Sequence, residues 1–154
     1  MDLITDRTHA DCERAAYLLD RAHAGKTLTD AERAEYFGGL RGCYTMAVDW
    51  NRVEAAVKEI SDRYGMGLHT KTDWTYNDIA TTAEIERYMS NIAAVYEIID
   101  DERKKTTPTP PTLCDWIDYR VANNIEKIIL AADDMTPKYA ILDVTAIFGK
   151  ALLG

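Results

Sequence analysis

Asp49-Trp50-Asn51-Arg52-Val53-Glu54-Ala55-Ala56-Val57-Lys58-Glu59-Ile60-Ser61-Asp62-Arg63-Tyr64-Gly65 is the stretch on which the fold reading turns. Trp50, Val53, Val57, Ile60 and Tyr64 recur at spacings of three and four, which puts them on one face of an α-helix. Asp49 is placed to cap the start, and Gly65 to close the end. Arg52, Glu54, Lys58, Glu59 and Asp62 fall on the polar face, and Glu54 stands four residues before Lys58, the favourable order for a helical ion pair. A helix apolar on one side only must bury that side against other elements.

The flanking sequence supplies them. Thr8, with Asp11 in the first turn, predicts a helix over 9–24 whose inner face carries Cys12, Ala15, Ala16, Leu19 and Ala22 and which stops at Gly25. Thr29-Asp30-Ala31-Glu32 has capping-box spacing and opens a short helix ending at Gly38-Gly39. From Gly65 to Thr81 the helical period disappears. Residues 67–72 read as a short strand and 73–78 as a turn. Thr81-x-x-Glu84 is a second capping box. The helix it opens carries Ile85, Tyr88, Ile92, Val95 and Ile99 on one stripe and runs on to the cations Arg103, Lys104 and Lys105. Thr106-Thr107-Pro108-Thr109-Pro110-Pro111-Thr112 breaks the pattern and reads as a loop over 106–112. A further helix follows with Cys114, Ile117, Val121, Ile125, Ile128 and Ala132 at helical spacing, up to Asp133-Asp134. After Thr136-Pro137 a helix is expected, with a C-terminal hairpin around Phe148-Gly149-Lys150 as the alternative.

These elements predict a mainly α protein: a single helical domain over 1–154, a bundle of about five to six helices. Eight residues, Val57, Ile60, Tyr88, Ile92, Val95, Val121, Ile125 and Ile128, are expected in one core. The 154 residues are enough for a domain of this kind, with 47% hydrophobic and 29% charged residues. The net charge of −8 repels phosphate, which argues against nucleic acid and anionic membranes as partners. No run reaches the roughly 18 apolar residues of a membrane span, and the first residues lack the pattern of a signal peptide.

Sequence spacing offers little for chemistry. His9, His23 and His69 are far apart and form no zinc array, so no metal and no cofactor is expected. Cys12, Cys43 and Cys114 form no close pair and read as reduced thiols. Gly38-Gly39-Leu40-Arg41-Gly42 lacks the strand and the Lys of a phosphate loop, and Asp100-Asp101-Glu102 and Asp133-Asp134 read as solvated helix ends. Hydrolase, kinase and dinucleotide signatures are absent. Lys71, Asp73, Trp74 and Tyr76 remain as candidate binding residues, because a Trp and a Tyr in a polar, non-periodic loop either pin that loop into the core or face a partner.

Several blocks together resemble a family of small helical domains encoded by phages and prophages of Gram-positive bacteria. They are Leu3-Ile4-Thr5-Asp6-Arg7-Thr8, Asp49-Trp50-Asn51-Arg52-Val53-Glu54, Lys71-Thr72-Asp73-Trp74-Thr75 with Asp78-Ile79, Glu86-Arg87-Tyr88-Met89-Ser90-Asn91 and Ala122-Asn123-Asn124-Ile125-Glu126. The resemblance implies a tail-, baseplate- or fibre-associated structural protein without enzymatic activity. Such a protein is a virion component, made in the bacterial cytoplasm, and contacts other phage structural proteins or itself as a homo-oligomer. Read structurally, the shared blocks give Asp73 the role of capping the turn, Trp74 that of pinning it, and Arg52 and Arg87 that of fixing helix packing through carboxylates. The chain's end, 146–154, keeps a glycine but lacks the aromatic pattern with which the family finishes. The alternative reading is an acidic, phage-encoded inhibitor of a host defence protein; an enzyme or small-ligand binder would need a deep pocket with convergent polar groups.

Overall fold

A computed structural model describes residues 1–112 and 117–135. Six α-helices occupy them: α1 (His9–His23), α2 (Asp30–Gly38), α3 (Asn51–Tyr64), α4 (Thr82–Glu97), α5 (Asp101–Lys104) and α6 (Tyr119–Asp133). A π-helical turn, Met46–Trp50, leads directly into α3. The chain is mainly helical, as its spacing predicts, and the described residues contain no strand.

The caps account for most helix starts. Thr8, Thr29 and Thr81 each accept a hydrogen bond from the backbone N–H three residues on, and the carboxylate at that position accepts one in turn from the threonine N–H. Two of the four orphan donors at each helix start are thereby satisfied. Gly65 closes α3 in the left-handed region, at φ +64°, where a β-carbon would be strained.

Helices α3, α4 and α6 pack on one another, and α1 packs on α2. Val57, Ile60, Tyr88, Ile92, Val95, Ile125 and Ile128 are buried together in the core they form, while Val121, expected with them, is half-buried at its edge. The middle of this core is aromatic. Trp50 stacks on Tyr88 with ring centroids 4.4 Å apart and meets Trp74 edge-on at 5.3 Å, both favoured geometries for ring quadrupoles. The Tyr88 hydroxyl lies 2.6 Å from that of Tyr44, and burial pushes both phenols up from their ordinary pKa.

Four sequence expectations are corrected. Asp49 does not cap α3: the chain is already wound in the π-turn, and the Asp49 carboxylate reaches back to accept from the Thr45 N–H at 2.7 Å. Residues 67–72 form no strand, because side chains take up their backbone groups. Ser61 accepts from the Leu68 N–H, Glu54 accepts from the Lys71 N–H, and Arg87 and Asn91 donate to the His69 carbonyl. The helix expected to reach Lys105 breaks after Glu97. The Asp100 side chain accepts from the Arg103 N–H and starts the one-turn helix α5 afresh, an aspartate competing with the helical ladder for backbone donors. Finally, α6 begins at Tyr119, capped by Asp118, which accepts from the N–H groups of Arg120 and Val121; Cys114, expected on it, lies outside the described residues. So does the segment after Thr136-Pro137, for which helix and hairpin were both open.

Candidate functional site

The sequence blocks, far apart in the chain, meet in two charged clusters and one cleft. The first cluster is a ring of four charges. Arg7, on the segment before α1, donates to Asp49 at 2.8 Å and to Glu126 on α6 at 2.7 Å. Arg52 donates to the same two carboxylates at 2.6 and 2.8 Å. Glu126 is fully buried and also accepts from the Ile4 N–H at 2.5 Å. Asn123 completes the tie by accepting from the Arg7 N–H and donating to the Arg7 carbonyl. Burial opposes the charge on Arg52, but hydrogen bonds and attraction from Glu126 and Asp49 outweigh it and raise its pKa. Two cations facing two carboxylates leave no net charge buried, which is the condition for tolerating such a ring. The N-terminal segment is thus locked onto α3 and α6.

Glu54 anchors the second cluster. Its two carboxylate oxygens accept from Arg87 at 2.5 and 2.7 Å, from the Lys71 N–H at 2.7 Å and from the Trp74 indole N–H at 3.2 Å. The hydrogen bonds of Glu54, ahead of its charge, raise the pKa of Arg87. The Asn51 side chain holds the Trp74 backbone on both sides, donating to its carbonyl and accepting from its N–H, each at 2.8 Å. The Lys71 ammonium sits 3.7 Å from the centre of the Trp74 ring, a cation–π contact. Trp74 is only 3% exposed.

The residues singled out in sequence therefore divide. Arg52 and Arg87 each hold helices together through a carboxylate, and Trp74 is a pin whose ring is not accessible as a contact surface. Lys71 is half-buried over that ring and pairs with Glu84 at 3.5 Å. Asp73 is exposed and does not cap the turn; Asp78 does, accepting from the Thr75 N–H at 2.6 Å. Tyr76, at 73% exposure, is the aromatic residue of the loop that faces solvent.

Glu54 departs most from its sequence reading. Lys58, its expected partner, pairs with Asp62 instead at 2.5 Å, and Glu54 turns inward. A signal for this existed: Glu54 sits beside Val53 and three before Val57, a position that a helix with a broad apolar stripe also buries. Arg7, Asn51, Asn123 and Glu126 were likewise missed as site residues. Nothing in their local spacing distinguishes them from solvated polar residues.

A cleft of about 820 Å³ opens beside the ring. Ile4, Leu19, Leu40 and Val48 contribute apolar walls, and Asp49 and Arg52 reach its base. Phe37 from the end of α2 and Tyr76 from the pinned loop stand at its mouth, 75% and 73% exposed. Arg41 lies along one edge, where it pairs with both Asp6 and Asp11. Gly42 brings this part of the chain against α1 so closely that a β-carbon there would lie 2.1 Å from the Asp11 carbonyl oxygen. Cys12 is a free thiol 3.5 Å from the Gly42 carbonyl, and burial pushes it and the free Cys43 thiol up in pKa.

Among the described residues no group of His, Cys, Asp and Glu could hold a metal ion, and no helix is long and apolar enough to cross a membrane. Comparison with protein-family models, with curated proteins and with solved structures finds no match to this chain.

Proposed function

We propose that this chain is a non-enzymatic structural or assembly protein of a phage particle, associated with the tail or baseplate and acting through contacts with other structural proteins or with further copies of itself. The observation that carries the reading is the division of labour between polar and apolar groups. Arg7, Asp49, Arg52, Glu54, Arg87 and Glu126 of the sequence blocks are turned towards one another, and both oxygens of Glu54 and of Glu126 are engaged inside the fold. A general acid or base needs an oxygen within reach of substrate, whereas a charge ring with every member engaged fixes the relative positions of chain segments. At the same time Phe37, Tyr76 and Ile79 are exposed, as aromatic and aliphatic anchors at protein interfaces are before their partner arrives.

The test is the protein content of gradient-purified particles from a phage or induced lysogen that carries this gene. Quantitative mass spectrometry is expected to find the chain at a fixed copy number relative to other tail components. A chain absent from particles that instead co-purifies with a host protein would overturn the reading in favour of the acidic inhibitor.

A further inference from the structure

The cleft beside the charge ring has a shape and an electrostatic edge that together specify an occupant. Its volume of about 820 Å³ lies within the range of binding pockets, about 300–1,000 Å³. Ile4, Leu19, Leu40 and Val48 give it aliphatic wall, with Tyr36, Cys43 and Thr45 beside them, and its most exposed hydrophobic lining side chains are two aromatics from elements about forty residues apart, Phe37 and Tyr76. The polar groups at its base, Asp49 and Arg52, are already engaged in the ring, so they impose no hydrogen-bonding demand on what enters. The interior suits a bulky apolar side chain.

The edge is acidic. Carboxylates gather around Arg41, which lines the cleft: Asp6 and Asp11, outside the lining itself, share its guanidinium, and Asp2 is part of the lining. Residues 1–45 carry eight Asp and Glu against six Lys and Arg, and one of those six, Arg7, is spent in the buried ring. With the whole chain at −8, a cationic segment is drawn to this side and an acidic one repelled.

We propose that the cleft is the docking site for a segment of another protein that inserts one large aromatic or aliphatic side chain between Phe37 and Tyr76 and sets lysines or arginines against the Asp2–Asp6–Asp11 edge. The proposal rests on the reading of this chain as one that works through protein contacts, and names the chemistry of the partner.

Three capped peptides test it: Gly-Lys-Trp-Lys-Gly, Gly-Glu-Trp-Glu-Gly and Gly-Lys-Ser-Lys-Gly, each titrated into the full-length protein with amide chemical shifts as the readout. The Lys-Trp-Lys peptide is expected to move the amides of Gly39, Leu40 and Val48 and to bind about tenfold more tightly than Glu-Trp-Glu, since two exposed charge contacts contribute a few-fold each. Added salt should narrow that gap. Lys-Ser-Lys should not saturate. Phe37→Ser, at an exposed position that does not endanger folding, should weaken the Lys-Trp-Lys peptide, and Asp2→Asn with Asp6→Asn should erase the preference for it over Glu-Trp-Glu while leaving tryptophan insertion intact.

Equal affinity for the basic and acidic peptides, or shifts centred away from the cleft, would overturn the proposal. Concentration-dependent shifts of the cleft amides in the protein alone would overturn it too, by making a second copy the occupant. None of these results depends on whether the chain is found in particles, so the functional reading and this one fail separately.

Discussion

Replacing Trp74 by alanine separates a structural loop from a recognition loop, and the geometry sets the size of the effect. The ring is 3% exposed, meets Trp50 edge-on, carries the Lys71 ammonium on its face and donates its N–H to Glu54. Truncating a buried aromatic to alanine costs about 3–5 kcal/mol. The upper part of that range applies if the cavity between α3 and α4 does not collapse. The lost hydrogen bond adds little, because Glu54 keeps Arg87 and the Lys71 N–H. Trp74→Phe keeps most of the apolar burial and loses only that N–H to carboxylate bond, a net cost of about 0.5–1.5 kcal/mol with Glu54 still paired. A chain of this size loses about 2–4 °C of Tm per kcal/mol. Thermal unfolding followed by circular dichroism should therefore place the alanine variant roughly 6–20 °C below wild type, with the phenylalanine variant between the two. Urea unfolding gives the same order in free energy. An alanine variant that melts with wild type would refute the pin and make this loop the first place to seek a partner. A phenylalanine variant as unstable as alanine would show that the Glu54 bond, and not ring burial, holds the loop.

Glu126→Gln leaves Arg7 and Arg52 facing one carboxylate in the buried ring; it should cost about 3–5 kcal/mol in urea unfolding, and a loss under about 1 kcal/mol would show that the ring is incidental. Gly42→Ala forces the chain off α1, since its β-carbon would meet the Asp11 carbonyl. A loss of about 1–3 kcal/mol is expected, with faster reaction of the Cys12 thiol with a thiol reagent; unchanged reactivity would mean that the contact does not shield it. Hydrogen bonds from the backbone of Thr8 to Asp11, of Thr81 to Glu84 and of Val121 to Asp118 hold these carboxyls below their ordinary values. Because the folded pKa is the lower one, this stabilisation is complete above the unfolded values of about 4 and is lost as pH falls through the folded ones. The Tm should drop on acidification below about pH 4, and Glu84→Gln should flatten part of that slope; an identical slope in the variant would remove Glu84 from the account.

What could be read from the sequence was what neighbouring residues decide. The boxes at Thr8, Thr29 and Thr81, the stop at Gly65 and the stripes through Val57, Ile92 and Ile125 all rest on contacts three or four residues apart. Such contacts are legible in spacing because the helical repeat alone brings those residues together. The break at Asp100 was not read: Asp100-Asp101-Glu102 looks locally like a solvated helix end, whereas the Asp100 side chain caps a new turn. Tertiary structure alone decided the rest. Glu54 looks like a solvated helix residue until Arg87 and Trp74 arrive from 33 and 20 residues away. Glu126 gains its partners from 119 and 74 residues away, and the cleft has walls drawn from α1, α2, the π-turn and the pinned loop. The physical reason is common to all three. A charge leaves water only where packing has placed a counter-charge to receive it, and a concave apolar surface exists only where separate elements meet. Both depend on how helices are arranged in space, which no local spacing encodes.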